Sequence, residues 1–517
     1  MKKWYFLLIL ISHQCLAQSI DSVSFPNKYY FIGFLNPSPK EFDIDTADIG
    51  YSTLQYHSFS TNGQMIKATH NQSFTDFLDF KLDLTKFSHE GNFIREYLKL
   101  YDVNTYLSFS NKEQSYNAKL MLTYQKITMD ENGGLSNTTS INMDDPLLNP
   151  VKLATAQNVS KNRYHSFSHQ YRLSEQISIF NSLSLLKRHK TYTDSSPNSG
   201  FYQNVFLDST QTNDSIKYNY FSSRLGLKYK HFSLSHLLNR RQMSYYISDS
   251  TDTDNGLAVS YNPSNTEFNL SLSYYQSGQY CVDIEKVFGK YKQHRLLLLA
   301  ARQSVPINYN NYISNHFRFQ TNYEGQNTQS VSYTFKSTSL VRLKSRLKHY
   351  TNYLYFDKFS QLRQYSSSIF YTTNELSLHW VLGNFKGTHS VHHQWTDRSS
   401  IFRVPDFSTS ASIWFEKTLF DASLLLKMGL KGHYFTPYKA NTYNPSLAEF
   451  YLQDQTEIGG FPLVDAFVNF QIGSMNANIQ CQNLVYQLTS HPHYFIPDYL
   501  SQVGLIKFSL IWKLSNA

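Results

Sequence analysis

Four cations stand at alternate positions between Val341 and Lys348: Arg342, Lys344, Arg346 and Lys348. Successive side chains of a strand point to opposite faces, so an extended chain would put all four on one face. Inside a pore, such a basic ladder would attract anions, as charged rings do in channels. The competing reading is four cations that snorkel to the phosphates of a lipid surface. Burial in the lipid core is excluded, because each midplane cation costs about 2–4 kcal/mol. These four residues are the candidate pore-lining set.

Other chemistry is thin. His389, His392 and His393 form H-x-x-H-H, and His491 and His493 form H-x-H. No cysteine or carboxylate set completes a metal site around them, so solvated histidines are the expectation. Serine and histidine are plentiful, but there is no G-x-S-x-G elbow and no glycine-rich phosphate loop. Abundance without geometry is not a catalytic site. The expectation is no enzyme activity, no cofactor and no metal. Cys281 and Cys481 lie far apart outside any metal or redox spacing, and read as unpaired strand residues.

The elements that must carry the ladder are strands. From Leu505 the chain reads L-I-K-F-S-L-I-W-K-L, with Ile506, Phe508, Leu510, Trp512 and Leu514 on one face. Lys507, Ser509, Ile511 and Lys513 take the other face. Period-two alternation of the same kind recurs at Tyr116–Tyr124, Phe221–Lys230, Phe268–Tyr274, Phe317–Tyr323, Leu376–Leu382, Ala422–Lys431 and Met475–Gln482. A strand so close to the end of the sequence needs a partner for its edge, and closure into a barrel supplies one.

Composition agrees. Tyr 40 and Phe 38 are high counts in a chain of mean hydropathy −0.44. Polar on average and rich in aromatics, such a chain suits a wet barrel interior with aromatic girdles. Beyond the leader there is no run of 18 apolar residues for a membrane helix. The fold expected is all-β: a large closed antiparallel transmembrane β-barrel of about 20 strands, within 18–22. Short turns are read at Asn111–Gln114, Asn262–Asn265, Glu324–Asn327 and Gly473-Ser474. Longer polar stretches fall at Lys126–Lys161, Lys190–Lys217, Asp249–Asn255, Thr436–Phe461 and Val485–Leu500.

At the other end, Met1-Lys2-Lys3 precedes the apolar run Trp4–Ile11, and Cys15-Leu16-Ala17 offers a small-residue cleavage site. This reads as a signal peptide over residues 1–17, cleaved near Ala17. Residues 18–75, with Pro26, Pro37 and Pro39, read as an N-terminal extension that could form a partial plug. Residues 76–517 read as the barrel. The extension is too short for the globular plug of a TonB-dependent transporter, which counts against that class. Net charge is +9, including the two lysines of the leader. That mild excess fits a cation-lined pore or basic loops, and no nucleic-acid module accompanies it.

One stretch is specific. Tyr443-Asn444-Pro445-Ser446-Leu447-Ala448-Glu449-Phe450-Tyr451-Leu452-Gln453 leads to Glu457-Ile458-Gly459-Gly460-Phe461-Pro462-Leu463-Val464-Asp465-Ala466-Phe467-Val468-Asn469-Phe470. This resembles the putative porin family of Gram-negative outer membranes, where a YNP…EFYLQ…IG.yP..DAFvN stretch precedes the closing strands. Tyr494–Tyr499 is similar to a further segment of that family, although Leu500 stands where the family often has proline. The close resemblance covers about the last 85 residues. Physically, Gly459, Gly460 and Pro462 would turn the chain sharply into a strand. Asp465, Phe467, Asn469 and Gln471 would then face the lumen, and Val464, Ala466, Val468, Phe470 and Ile472 the lipid.

The function expected is an outer-membrane channel for passive diffusion of small hydrophilic solutes, anion-preferring if the ladder lines it. Two alternatives stand beside it. One is a plugged structural or adhesion barrel that binds partners through its outer loops. The other is the barrel of an active transporter with a separate lid. The partners expected are outer-membrane lipid, the barrel assembly machinery and small hydrophilic solutes, with no nucleic acid and the oligomeric state open. The location expected is the outer membrane of a Gram-negative bacterium.

Overall fold

The alternation read from the sequence closes on itself. The computed structural model describes residues 50–515, apart from 60–62, 92, 138–140, 143–144, 246–248, 264–266, 290, 304–311, 320–322, 338–339, 486–493 and 501–505. The leader at residues 1–17 lies outside the described residues.

The first half of the barrel runs through β1 (Tyr51–Phe59), β2 (Gly63–Thr75), β3 (Leu78–His89), β4 (Leu98–Ser110), β5 (Tyr116–Asp130), β6 (Gln157–Arg172), β7 (Ile177–Asp194), β8 (Thr212–Tyr229), β9 (Phe232–Ser244), β10 (Asp249–Tyr261) and β11 (Phe268–Tyr275). It continues through β12 (Tyr280–Phe288), β13 (His294–Gln303), β16 (Gln326–Ser337), β17 (Val341–Thr351), β20 (Ile369–Leu382), β21 (Phe385–Thr396), β22 (Phe407–Leu419), β23 (Leu424–Phe435), β26 (Leu463–Ile472), β27 (Met475–Cys481) and β30 (Ile506–Ser515). Four small hairpins sit in the connections: β14 (Tyr312–Ile313) with β15 (Arg318–Phe319), β18 (Tyr353–Phe356) with β19 (Leu362–Tyr365), β24 (Thr442–Asn444) with β25 (Glu449–Tyr451), and β28 (Tyr494–Ile496) with β29 (Tyr499–Leu500).

The sheet has 22 strands, at the upper end of the range expected. Each barrel strand pairs antiparallel with its chain neighbour, and β1 pairs with β30 from Tyr51↔Ser515 to Phe59↔Lys507. The last strand therefore finds its edge partner in the first, and the sheet has no free edge.

The pleat sorts the side chains. On β30, Ile506, Phe508, Trp512 and Leu514 are exposed outward, while Ser509 is buried on the inner face. On β8, Leu225, Leu227 and Tyr229 face out, and Tyr220 on the opposite face donates to Asn239 of β9. Exposed apolar residues on a barrel's outer face meet lipid. Connections at one end are two to six residues long; most at the other are much longer and carry the hairpins. In barrels of this class the short turns face the periplasm.

Three sequence readings need correction. The barrel starts at Tyr51, not at residue 76, because β1 and β2 are full barrel strands in register from Tyr51↔Asn71 to Phe59↔Gly63. Their lipid face is narrow in apolar residues, so alternation is weak there. Asp249–Asn255, read as a loop, is the first half of β10. Crossing a bilayer takes about 9–11 residues, whereas β7 and β8 have 18 each. Strand ends that project into water are polar, and so look like loops. Glu324–Asn327, read as a tight turn, is instead the entry to β16 after the β14/β15 connection.

Candidate functional site

The long connections fold inward. The tip of the β24/β25 hairpin, Pro445-Ser446-Leu447-Ala448, is the point where they meet. Asn444 shapes it: its side-chain Oδ1 accepts from Ser446 N and Ser446 Oγ, and its carbonyl accepts from Ala448 N. Ala448 takes a left-handed conformation, φ 57°. On one side Tyr443 and Ala448 pack with Phe87 of β3, Leu98 and Leu100 of β4, and Ile127 and Met129 of β5. These wall residues lie on inward strand positions. On the other side Leu447 packs with Met243 of β9 and with Tyr312, Phe317, Phe356 and Leu362. The tip thus joins wall residues of β3–β5 and β9 to two other connections.

Polar contacts latch it. Asn158 of β6 donates through Nδ2 to Pro445 O at 2.8 Å and to Glu131 Oε1 at 2.8 Å. Lys190 of β7 donates through Nζ to Leu447 O at 2.8 Å. Tyr443 OH donates to Glu131 Oε1 at 3.1 Å. Glu131 and Asn158 are 0% exposed and Lys190 is 4%. Buried charges of this kind are costly unless hydrogen-bonded. Here Glu131 faces two donors, and Glu131, Glu449 and Asp214 lie around the Lys190 ammonium. Burial pushes the Tyr443 hydroxyl well above its usual value, so it stays a donor at neutral pH.

Neighbouring connections brace the tip. Asn444 Nδ2 donates to Ser360 Oγ at 3.0 Å and Leu452 N to Phe356 O at 3.1 Å, both in the β17–β20 connection. Thr442 Oγ1 donates to Pro497 O at 2.9 Å, and Leu135 N to Asp498 O at 2.9 Å. Gly459 has φ +98°, and a Cβ there would stand 2.7 Å from the Phe435 ring. The chain therefore turns back into β26 only with glycine at that position. Below it Asp465 lies on the inner face, 5% exposed, accepting from Gln480 Nε2 and Asn483 N.

The basic ladder lies elsewhere, near the short-turn end. Arg342, Lys344, Arg346 and Lys348 share the face of β17 that bears the buried Tyr350, opposite the exposed Leu343 and Leu347. Their cross-strand partners are Lys336, Thr334, Ser332 and Ser330 on β16, and Ser377, Glu375, Thr373 and Tyr371 on β20. Lys348 Nζ sits 5.8 Å over the Tyr350 ring. The pleat brings all four together on the inner wall.

The histidines are not gathered. His392 and His393 are adjacent on β21 and point to opposite faces. His491 and His493 lie outside the described residues. Cys281 lies on β12 and Cys481 on β27, strands that are not neighbours in the sheet. Sequence reasoning missed Glu131, Asn158 and Lys190. Extending strand parity through β6 and β7 would have pointed Asn158 and Lys190 inward, but their polar surroundings read as loop.

Comparison with known proteins places the fold. The family model described as a putative porin matches residues 42–516. No curated protein matches the chain. Among solved structures, the FrpB iron transporter from Neisseria meningitidis is 10% identical, with 91% of this chain and 82% of that chain covered at a TM-score of 0.60. The ferric enterobactin receptor PfeA from Pseudomonas aeruginosa is 10% identical, covering 90% and 81% at 0.65. The ferric-catecholate import receptor Fiu from E. coli is 9% identical, covering 90% and 82% at 0.59.

These findings correct the expectation of passive diffusion. The barrel architecture is that of iron and ferric-siderophore transporters and receptors, matched over nine-tenths of the chain. The outer connections also pack across the lumen, where a diffusion pore needs a standing aqueous path. The terms porin and channel, in the sense of a passive pore, fall with that expectation. So do small hydrophilic solutes as the partner class.

Proposed function

This chain belongs to the putative porin family, and from that premise we propose that its barrel is a gated importer whose outer connections must move before cargo enters. It resides in the outer membrane of a Gram-negative bacterium. The observation that carries the reading is the Pro445–Ala448 tip, held between the β3–β7 wall and the β13–β16 and β17–β20 connections. Cargo that binds the connections better when they are open shifts that equilibrium by its differential affinity. The cargo class is a bulky iron chelate, by analogy with the ferric enterobactin and ferric-catecholate receptors that share the fold. Accumulating such a cargo against its concentration gradient requires energy from outside the barrel, so the reading includes active transport.

The test is conductance in a planar bilayer. Tyr438 and Ile458 already pair with each other, so residues 439–457 can be replaced by a short turn. The intact mature chain gives no steady steps, and the shortened chain gives steady ones. Steady steps from the intact chain would sink the gate. Uptake of a ferric catecholate by cells carrying the chain should stop when the proton gradient is collapsed. Gradient-independent entry would remove the active part of the reading. A folded barrel with neither uptake nor steps would leave the structural, partner-binding alternative.

A further inference from the structure

The lipid-facing wall carries a cluster of cations on one side of the barrel. Lys126 of β5, Lys161 and Arg163 of β6 and Lys187 of β7 share the outward face with the exposed Leu122, Phe167 and Ile179. Lys126 stands directly opposite Lys161, and Arg163 directly opposite Lys187. Opposed residues of an antiparallel pair have Cβ atoms about 4.5–5.5 Å apart, and like charges so placed repel. Lys86 of β3 and Lys217 of β8 continue the row through Tyr101 and His189. On the outward face of β3–β8, among the described residues, the carboxylate is Asp130, which already pairs with Arg95 at 2.9 Å. Also among the described residues, none of the four central cations has an acidic side chain within ion-pair distance. An anion placed among them would offset the repulsion.

The cluster lies at the level of the outer headgroups. Tyr116 and Tyr171 pair at the short-turn end of β5 and β6, as aromatic residues do at a membrane interface. Lys126 is ten residues on from Tyr116, and Lys161 ten residues back from Tyr171. Crossing the hydrocarbon takes about 9–11 residues, so the cations emerge where the outer leaflet's polar heads begin. A lipid-facing cation costs least at that depth. Below them Leu122, Phe167 and Ile179 offer an apolar surface to acyl chains. A girdle that only marked the interface would encircle the barrel. Ten residues above the short turns on β20, β21, β22 and β23 stand instead Thr372, Trp395, Thr409 and Tyr434, none of them a cation.

We propose that Lys126, Lys161, Arg163 and Lys187 form a binding site for the phosphorylated head of an outer-leaflet lipid of the lipid A kind, whose acyl chains lie along Leu122, Phe167 and Ile179. Phosphate suits this set, because an arginine fork grips it through two bonds and lysines add point charges. A lipid suits the place, because the site opens on the membrane and not on the lumen. The site is independent of what the barrel imports.

The full mature chain is purified in a non-ionic detergent, stripped of lipid and titrated with lipid A, and bound copies are counted by native mass spectrometry. Removing the phosphates from lipid A, or substituting the four cations (Lys126→Gln, Lys161→Gln, Arg163→Gln, Lys187→Gln), should each weaken binding about tenfold or more. Lys286→Gln with Arg302→Gln, outward cations of β12 and β13, should leave binding unchanged. Inorganic phosphate in excess should not displace the lipid, because it has nothing to lay on the apolar wall. Heat-modifiable migration confirms that each variant is a folded barrel. Equal binding of lipid A with and without its phosphates would overturn the proposal on the unsubstituted chain alone. Displacement by inorganic phosphate would overturn the lipid as occupant in favour of a free anion. An equal loss in the β12–β13 variant would overturn the site in favour of diffuse charge attraction.

Discussion

The two ends of this barrel use polar residues in opposite ways. At the outer end Glu131, Asn158 and Lys190 are buried and each meets a hydrogen-bond partner, two of them on the 445–448 tip. At the short-turn end Arg342 and Lys119 are exposed to the lumen. A buried polar group left without a partner costs about 1–3 kcal/mol, so the outer set fixes one conformation of the loops. A solvated one costs little to change, so the inner set fixes a field rather than a fold. The difference separates a latch from a lining.

The largest effect should come from Tyr443→Ala. It removes a fully buried ring from the β3–β5 cluster along with the bond to Glu131. Losses of about 3–5 kcal/mol are usual for such truncations. Steady conductance should appear while the barrel stays heat-modifiable; a silent bilayer would show that the tip does not depend on this anchor. Lys190→Met should cost about 1–3 kcal/mol by leaving Leu447 O without its donor. Hydrogen exchange across 445–450 measures it, and unchanged protection would remove Lys190 from the latch.

Acidification should act more weakly, and on the outer end alone. His316, in the β13–β16 connection, stacks on Tyr202 at 3.7 Å, and its Nδ1 donates to Asn204 O. Its Nε2 accepts from Thr212 Oγ1 at 2.7 Å. Burial holds its pKa below the ordinary 6.5. The opened loop binds a proton first, so closure is fully stable above about pH 6.5 and weakens as pH falls below it. His316→Gln should flatten that slope in a proteolysis profile; an unaltered slope would assign it to another group.

The smallest effects distinguish the surface from the lining. Arg363→Ala breaks an exposed pair with Asp357 and should cost under about 1 kcal/mol in thermal unfolding. Arg342→Gln should change barrel stability by no more than about 0.5 kcal/mol. In the chain shortened at 439–457 it should nonetheless move the reversal potential toward cations. No movement there would take Arg342 out of the lining.

Much of the barrel was legible because lipid outside and water inside write a period of two into the sequence. Ile506–Leu514, Leu424–Leu430 and the row Asp465, Asn469, Gln471 announce their faces through alternation alone. So does the ladder Arg342–Lys348, which the pleat then places together on the inner wall. What alternation could not give is whatever depends on contacts distant in sequence. β1 and β2 are recognisable as barrel strands only through their pairing with β30 and β3. The YNPSLAEFY stretch can be read as a loop, but Leu447 meets Lys190 across 257 residues and Pro445 meets Asn158 across 287. The local chemistry of strands determined the barrel. Only the tertiary structure decided that the 445–448 tip is latched to the inner wall, because the entropy of ordering that loop is repaid by partners that the chain order keeps far apart.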